Sequence, residues 1–245
     1  MNDNLSIDPE FTTLLKQISN HIRSKFKIIV VLFLLGIAIG IPIAHQLVNW
    51  LLASNLLPND VNIIILTPVE FIMLQVKVGA WLGVIFAVFW LLIDGAIKTE
   101  ITKKIPNPSL AITKYALGSI ILMFLGLAYS WYLLTPMLLD YLAADAQAAG
   151  ISTEWRLSSF VGFIGGLCFA CIIGFQAPLF TLLSIHSEVI SKDELLLYRR
   201  HIWFATFVLG AAFSPPDPLS LFLVAVPIIL LFEAAIFWSS VTGKN

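Results

Sequence analysis

Few residues of this 245-residue chain could do chemistry, and most of them are lone charged or amide groups set in or beside long apolar stretches. Glu70 and Lys77 open one stretch and stand seven positions apart, two helical turns, so they share a face and can meet polar partners on neighbouring helices. Gln176 lies two residues ahead of Pro178 inside another stretch, Asp217 sits in Ser214-Pro-Pro-Asp-Pro218, and Glu233 lies in the last stretch. An ionisable group at the middle of a bilayer costs on the order of 2.5–3.5 kcal/mol on insertion scales, so each is a candidate for intramembrane docking. A structural role is open for each as well. Glu70 and Lys77 could pack near an interface, Gln176 could satisfy the carbonyl that Pro178 leaves free, and Glu233 could snorkel or pair with Arg199 or Arg200.

Catalytic arrangements are missing. Gly118-Ser119 lacks the small residue that an intramembrane serine nucleophile turn needs, and His21, His45, His186 and His201 fall at the ends of stretches or in loops. Asp94, Asp140 and Asp217 lie at ends rather than as a mid-membrane pair. There is no HExxH, no CxxC pair and no phosphate-cradling glycine loop. Cys168 and Cys171 sit within an apolar run, where their spacing reads as helix packing. The sequence predicts no enzyme, no metal, no cofactor and no nucleic-acid partner.

Composition says what must hold these groups. Mean hydropathy is +0.93, with 59% apolar and 12% charged residues, against roughly 25% charged in soluble domains. A soluble domain of this length could not make a polar exterior from so little. Six apolar spans are expected, at about 28–47, 72–97, 111–135, 157–185, 202–213 and 219–238, in a single polytopic domain over 1–245. Twelve of the fourteen Lys and Arg residues fall before the first span, in alternate gaps and in the tail. Lys/Arg-rich loops stay cytoplasmic, so the expectation is an all-α membrane protein with six transmembrane helices and both termini inside. No cleavable leader pattern precedes the first span. Residues 11–27 carry Phe11, Leu14, Leu15, Ile18, Ile22 and Phe26 among basic residues, the pattern of an N-terminal amphipathic surface helix. The last two helices are expected to be short: Ile202–Phe213 would give only about 18 Å of helix, and Leu219–Trp238, of nominal length, carries Pro227 and Glu233. Span four is long enough that it must tilt, kink or protrude, and Pro178 supplies a kink. The gap at 48–71 is apolar and should fold back over its face, and 136–156 should hold a second short surface helix.

Several segments together resemble the TatC family of twin-arginine translocase proteins, over roughly residues 14–240. Thr67-Pro-Val-Glu-Phe71 followed by Lys77 resembles the family's Pro-x-Glu-x-Phe with a Lys seven after the Glu, the Phe here one place early. Gly174-Phe-Gln-Ala-Pro178 resembles its Phe-Glu-x-Pro, with Gln176 in place of Glu. Tyr198-Arg-Arg-His201, Phe213-Ser-Pro-Pro-Asp217, Ala225-Val-Pro227 and Leu231-Phe-Glu233 resemble its C-terminal signature. Of the N-terminal Glu-Leu-Arg-x-Arg core, Arg23 and Lys25 are present and His21 stands where the Glu falls. In the first cytoplasmic loop Glu100, with Lys103 and Lys104, answers to the family's Glu-Arg, and Asp94 stands at its Pro. The chain therefore looks like a divergent member.

The resemblance implies a core component of the twin-arginine translocase. Such a protein binds the signal peptides of folded cargo and exports them across a prokaryotic cytoplasmic membrane on the proton gradient. It implies partners, too: single-span proteins of the TatA/TatB type, the lipid bilayer, and further copies of the chain in a larger complex. Signal-peptide binding would fall to Glu100, Arg23 and Lys103, since carboxylates suit guanidinium ligands. Partner docking would fall to Gln176, Glu70, Lys77, Asp217 and Glu233. Glu100 could instead pair only with Lys103 or Lys104 on a surface helix. A small-molecule secondary transporter and a membrane assembly factor without signal-peptide binding are the rival readings, and the transporter would need an internal symmetry that the chain lacks.

Overall fold

The computed structural model describes residues 9–54, 56, 61–98, 108–150, 154–186, 192–213 and 218–242, with the side chains of 9–24, 96, 98, 108–112 and 213 left out. Glu100, Lys103 and Asp217 lie outside the described residues, and Arg23 is described in its backbone alone. Nine α-helices and two short strands account for the described residues: α1 (Pro9–Ala53), β1 (Asn62–Ile64), α2 (Val69–Lys98), α3 (Pro108–Tyr129), a π turn (Ser130–Leu134), α4 (Thr135–Ala148), β2 (Glu154–Arg156), α5 (Leu157–Gly174), α6 (Ala177–His186), α7 (Lys192–Leu197), α8 (Arg199–Phe213) and α9 (Pro218–Val241). It is an all-helical membrane architecture. Among the described residues five segments are long and apolar enough to cross a bilayer: Lys25–Ala53, Val69–Gly95, Thr113–Ala148, Leu157–His186 and Pro218–Val241.

Three differences from the sequence reading have local causes. The amphipathic stretch is not a separate surface helix, because α1 runs on through it and on past Pro42 to Ala53 as one helix. Pro136 does not stop span three. Thr135 N–H donates to Ser130 O, one residue further back than in an α-helix, and this widened turn takes up a proline that has no N–H to give. The helix then continues as α4, so the segment expected as a surface helix is an extension of the span, ended by Gly150 at φ 69°. Of the last two helices only α8 is short, its 15 residues reaching about 22 Å; the 24 residues of α9 reach about 36 Å despite Pro227.

The helix axis of span four does break as expected. Phe175 and Gln176 form a turn between α5 and α6, and Pro178 follows in the first turn of α6. This broken span is the hub, with over half of its apolar window buried inside the protein. Leu167, Ala170, Cys171 and Phe175 pack against Leu134, Leu138 and Val224. Toward the N-terminus of α5, Phe160, Val161 and Ile164 join Val48, Leu51, Leu74 and Leu139.

In lipid no hydrophobic force draws one helix to another, so close backbone approach has to hold them. The α1–α2 pair does this with four glycines. A Cβ on Gly36 would stand 2.2 Å from Gly83 Cα, and one on Gly40 would stand 2.3 Å from Gly79 Cα. Sequence reasoning missed the seam, although Gly36 and Gly40, and likewise Gly79 and Gly83, stand four apart in apolar runs, the spacing that lets membrane helices approach closely. At one end of the bundle the apolar segment 48–71 folds back as expected: β1 pairs in parallel with β2, Ile63 opposite Trp155, and Trp50 stacks on Trp131 at 4.5 Å.

Candidate functional site

Among the described residues, Glu70, Lys77, Gln176 and Glu233 fall into separate clusters that share no hydrogen bond or ion pair. Glu70 lies in the first turn of α2, where the helix dipole favours a carboxylate. It is 3% exposed, yet fully engaged. Oε1 accepts from Arg156 Nε at 2.8 Å, from Ser158 N–H at 3.0 Å and from the Ser158 hydroxyl, and Oε2 accepts from Leu66 N–H at 3.1 Å. Arg156 is the N-cap of α5 in extended conformation, and Ser158 sits in its first turn. One carboxylate thus caps the N-terminus of α5 and also holds the segment leading into α2. Sequence reasoning missed Arg156 and Ser158 as partners. The available signal was that Arg156 is the lone cation of its gap, which a buried counter-ion explains.

Lys77 does not reach Glu70. Its Nζ lies over the Trp81 ring, 5.5 Å from the centroid, and beside Gly162, where a Cβ would stand 3.1 Å away. The residue is exposed, and among the described residues no carboxylate pairs with it.

Gln176 is 2% exposed at the α5–α6 break. Its Oε1 accepts from Ser119 Oγ at 2.8 Å, and its Nε2 donates to Ser119 O at 3.2 Å and to Ile172 O at 3.5 Å. The amide therefore stitches the broken span to α3. The carbonyl it reaches on its own helix is that of Ile172, two residues before Gly174. Ser119 carries no sequence signal for this role, since a serine in an apolar helix commonly bonds its own backbone.

Near the C-terminal part of α9, Glu233 accepts from Arg199 Nε at 2.6 Å and from Trp203 Nε1 at 2.9 Å, and the guanidinium lies 5.0 Å from the Trp203 ring. The α8–α9 hairpin is closed by this contact. Lys25 Nζ donates to Asp94 Oδ1 at 3.1 Å and lies 5.2 Å from the Trp90 ring, tying the start of the α1 span to the end of α2.

A groove of about 540 Å³ has walls from α1, α2, α3 with its π turn, and α5, among them Trp50, Trp81, Leu127, Trp131, Ile164 and Ile172. It is almost wholly apolar, and its polar neighbours lie at its margins. Among the described residues no group of three or more His, Cys, Asp or Glu side chains is placed to hold a metal.

A family model described as Sec-independent protein translocase protein (TatC) matches residues 17–227. The chain belongs to the TatC family. The TatCt protein of Haloferax volcanii is 30% identical over 185 residues, 74% of this chain but 26% of that protein. The TatC of Aquifex aeolicus is 25% identical over 234 residues, 92% of this chain and 94% of that protein. The chain thus spans about a quarter of the first relative's length and nearly all of the second's. A crystal structure of a twin arginine translocase receptor, TatC, matches with a TM-score of 0.71 and 25% identity, covering 91% of this chain and 97% of that one. The broken fourth span, the short α8 and the Glu70–Arg156 clasp are therefore features of a TatC-type scaffold as this chain builds it.

Proposed function

We propose that the chain is the receptor core of a Sec-independent, twin-arginine protein translocase. It crosses a prokaryotic cytoplasmic membrane six times, with α8 as the short fifth crossing and both termini on the cytoplasmic face. The observation that carries this reading is the match of the whole helical scaffold, 91% of the chain, to a solved receptor of that kind. The distribution of cations supports the sidedness, since Lys and Arg crowd the gaps at the N-terminal end of the bundle.

On this reading Glu100, together with Lys103 and Arg23 of the cytoplasmic segments, receives the Arg-Arg pair of a signal peptide. A carboxylate can take a guanidinium in bidentate fashion, and an ammonium cannot offer the same fork. Single-span proteins of the TatA/TatB type dock along the spans, with Asp217 and Glu233 among their docking residues, and the proton gradient drives transport. The α8 helix is shorter than the roughly 30 Å hydrocarbon core, so lipid beside it thins, easing the passage of folded cargo.

Site-specific photocrosslinking from position 100 tests the receptor role, with a signal peptide carrying Arg-Arg against a Lys-Lys control. Preferential labelling by Arg-Arg is expected, and equal labelling removes the receptor assignment. Tag accessibility around Lys103 tests the sidedness independently, and an outward-facing tag overturns it.

A further inference from the structure

Lys77 is a cation inside a spanning helix to which the described residues supply no counter-ion. The nearest carboxylate in sequence, Glu70, is already matched by Arg156. The Lys77 ammonium touches the level of Gly162, one helical turn along α5 from Ser158, whose N–H and hydroxyl hold Glu70. That places it about 6 Å inside the polar rim of its end of the bundle. A lysine stem at that depth snorkels toward the interface, and the groups that meet it there are lipid headgroups. Gly162 is what leaves room: a side chain at that position would crowd the ammonium.

The groove begins beside this cation. The Trp81 ring beneath Lys77 forms part of its wall, together with Val78 and Gly165. Along α5 its lining runs from Val161 to Ile172, about 16 Å of helix, which is the depth of one leaflet's hydrocarbon in a core of about 30 Å. A positive charge at the rim and a long apolar trough below it match the two halves of one molecule. The geometry points to a phospholipid site, in which the Lys77 ammonium takes the phosphate of an anionic phospholipid and the groove takes one acyl chain. This site needs only that the chain lies in a membrane, so it stands or falls apart from the receptor role. A lipid without a compensating cation of its own, such as phosphatidylglycerol, is preferred, because its phosphate has no internal competitor for the lysine.

Native mass spectrometry of the full chain in mild detergent tests the assignment. It is titrated with phosphatidylglycerol and with diacylglycerol of the same acyl chains. The wild type should hold one phosphatidylglycerol about tenfold more tightly than diacylglycerol. K77Q should erase that difference and K77R should keep it. Ala128 is exposed and lines the groove, so A128F fills the trough without disturbing a buried residue, and it should weaken retention of both lipids. Equal retention of phosphatidylglycerol by wild type and K77Q would overturn the site. So would an A128F chain that binds as the wild type does.

Discussion

Replacing Gly36 by alanine adds one methyl group to a seam that has no space for it. The new Cβ would stand 2.2 Å from both Cα and N of Gly83 and 3.0 Å from Leu82 C, all backbone atoms of α2 that no rotamer change can move. Restoring ordinary contact at about 3.4 Å requires the two helices to part by about 1.2 Å. A gap of that size forfeits about half the dispersion energy of each contact along the seam, so Gly36→Ala should destabilise by about 1–3 kcal/mol, the range of overpacked interiors. Gly40→Ala, 2.3 Å from Gly79 Cα, should behave alike. The double variant should cost clearly less than the sum, since the separation forced by one methyl already accommodates the other. Gly118→Ala is the control: its Cβ would meet Leu179 Cδ2 at 3.6 Å, an ordinary contact, and alanine favours the helix. The assay is unfolding by graded SDS in mixed micelles, followed by tryptophan fluorescence. A Gly36→Ala midpoint equal to that of Gly118→Ala would refute the close-approach argument, and full additivity of the double variant would refute the shared displacement.

Glu70→Ala leaves the Leu66 and Ser158 N–H groups and the half-exposed Arg156 without their acceptor, and should cost about 2–3 kcal/mol; Arg156→Gln should cost less because its guanidinium is partly in solvent. Both are read from the same unfolding midpoint, and the reverse order would count against the capping role. Gln176→Leu should cost about 1–2 kcal/mol by stranding Ser119, and combining it with Ser119→Ala should recover part of that loss, measured as a double-mutant cycle. Lengthening α8 by one apolar turn should impair export of a folded reporter several-fold while leaving membrane insertion intact, because it restores about 5.4 Å of hydrophobic length; undiminished export would remove local thinning as a requirement.

The sequence made the membrane architecture legible because lipid imposes it residue by residue: apolar length sets the crossings, and Pro178 foretold the break in the fourth. Pro136 misled for a physical reason. A proline denies one hydrogen bond, and the chain answered with one wider turn at Ser130–Leu134 instead of an end. The Gly36–Gly83 and Gly40–Gly79 contacts had a local signal, two glycines four apart in each of two apolar runs, but that spacing does not say which helix meets which. The partners of Glu70 and Gln176 lie 86–88 and 57 positions away, and nothing local in the sequence selects Arg156, Ser158 or Ser119 for them. The polar residues themselves were found, since any such group in an apolar run is costly enough to be noticed.

The stitch between Gln176 and Ser119 has a mechanical consequence. The elbow in the central helix is fastened by uncharged dipoles on both sides, with no net charge for a transmembrane voltage to pull and no acid to titrate. Any response of this joint to an energised bilayer must come through groups other than these two side chains.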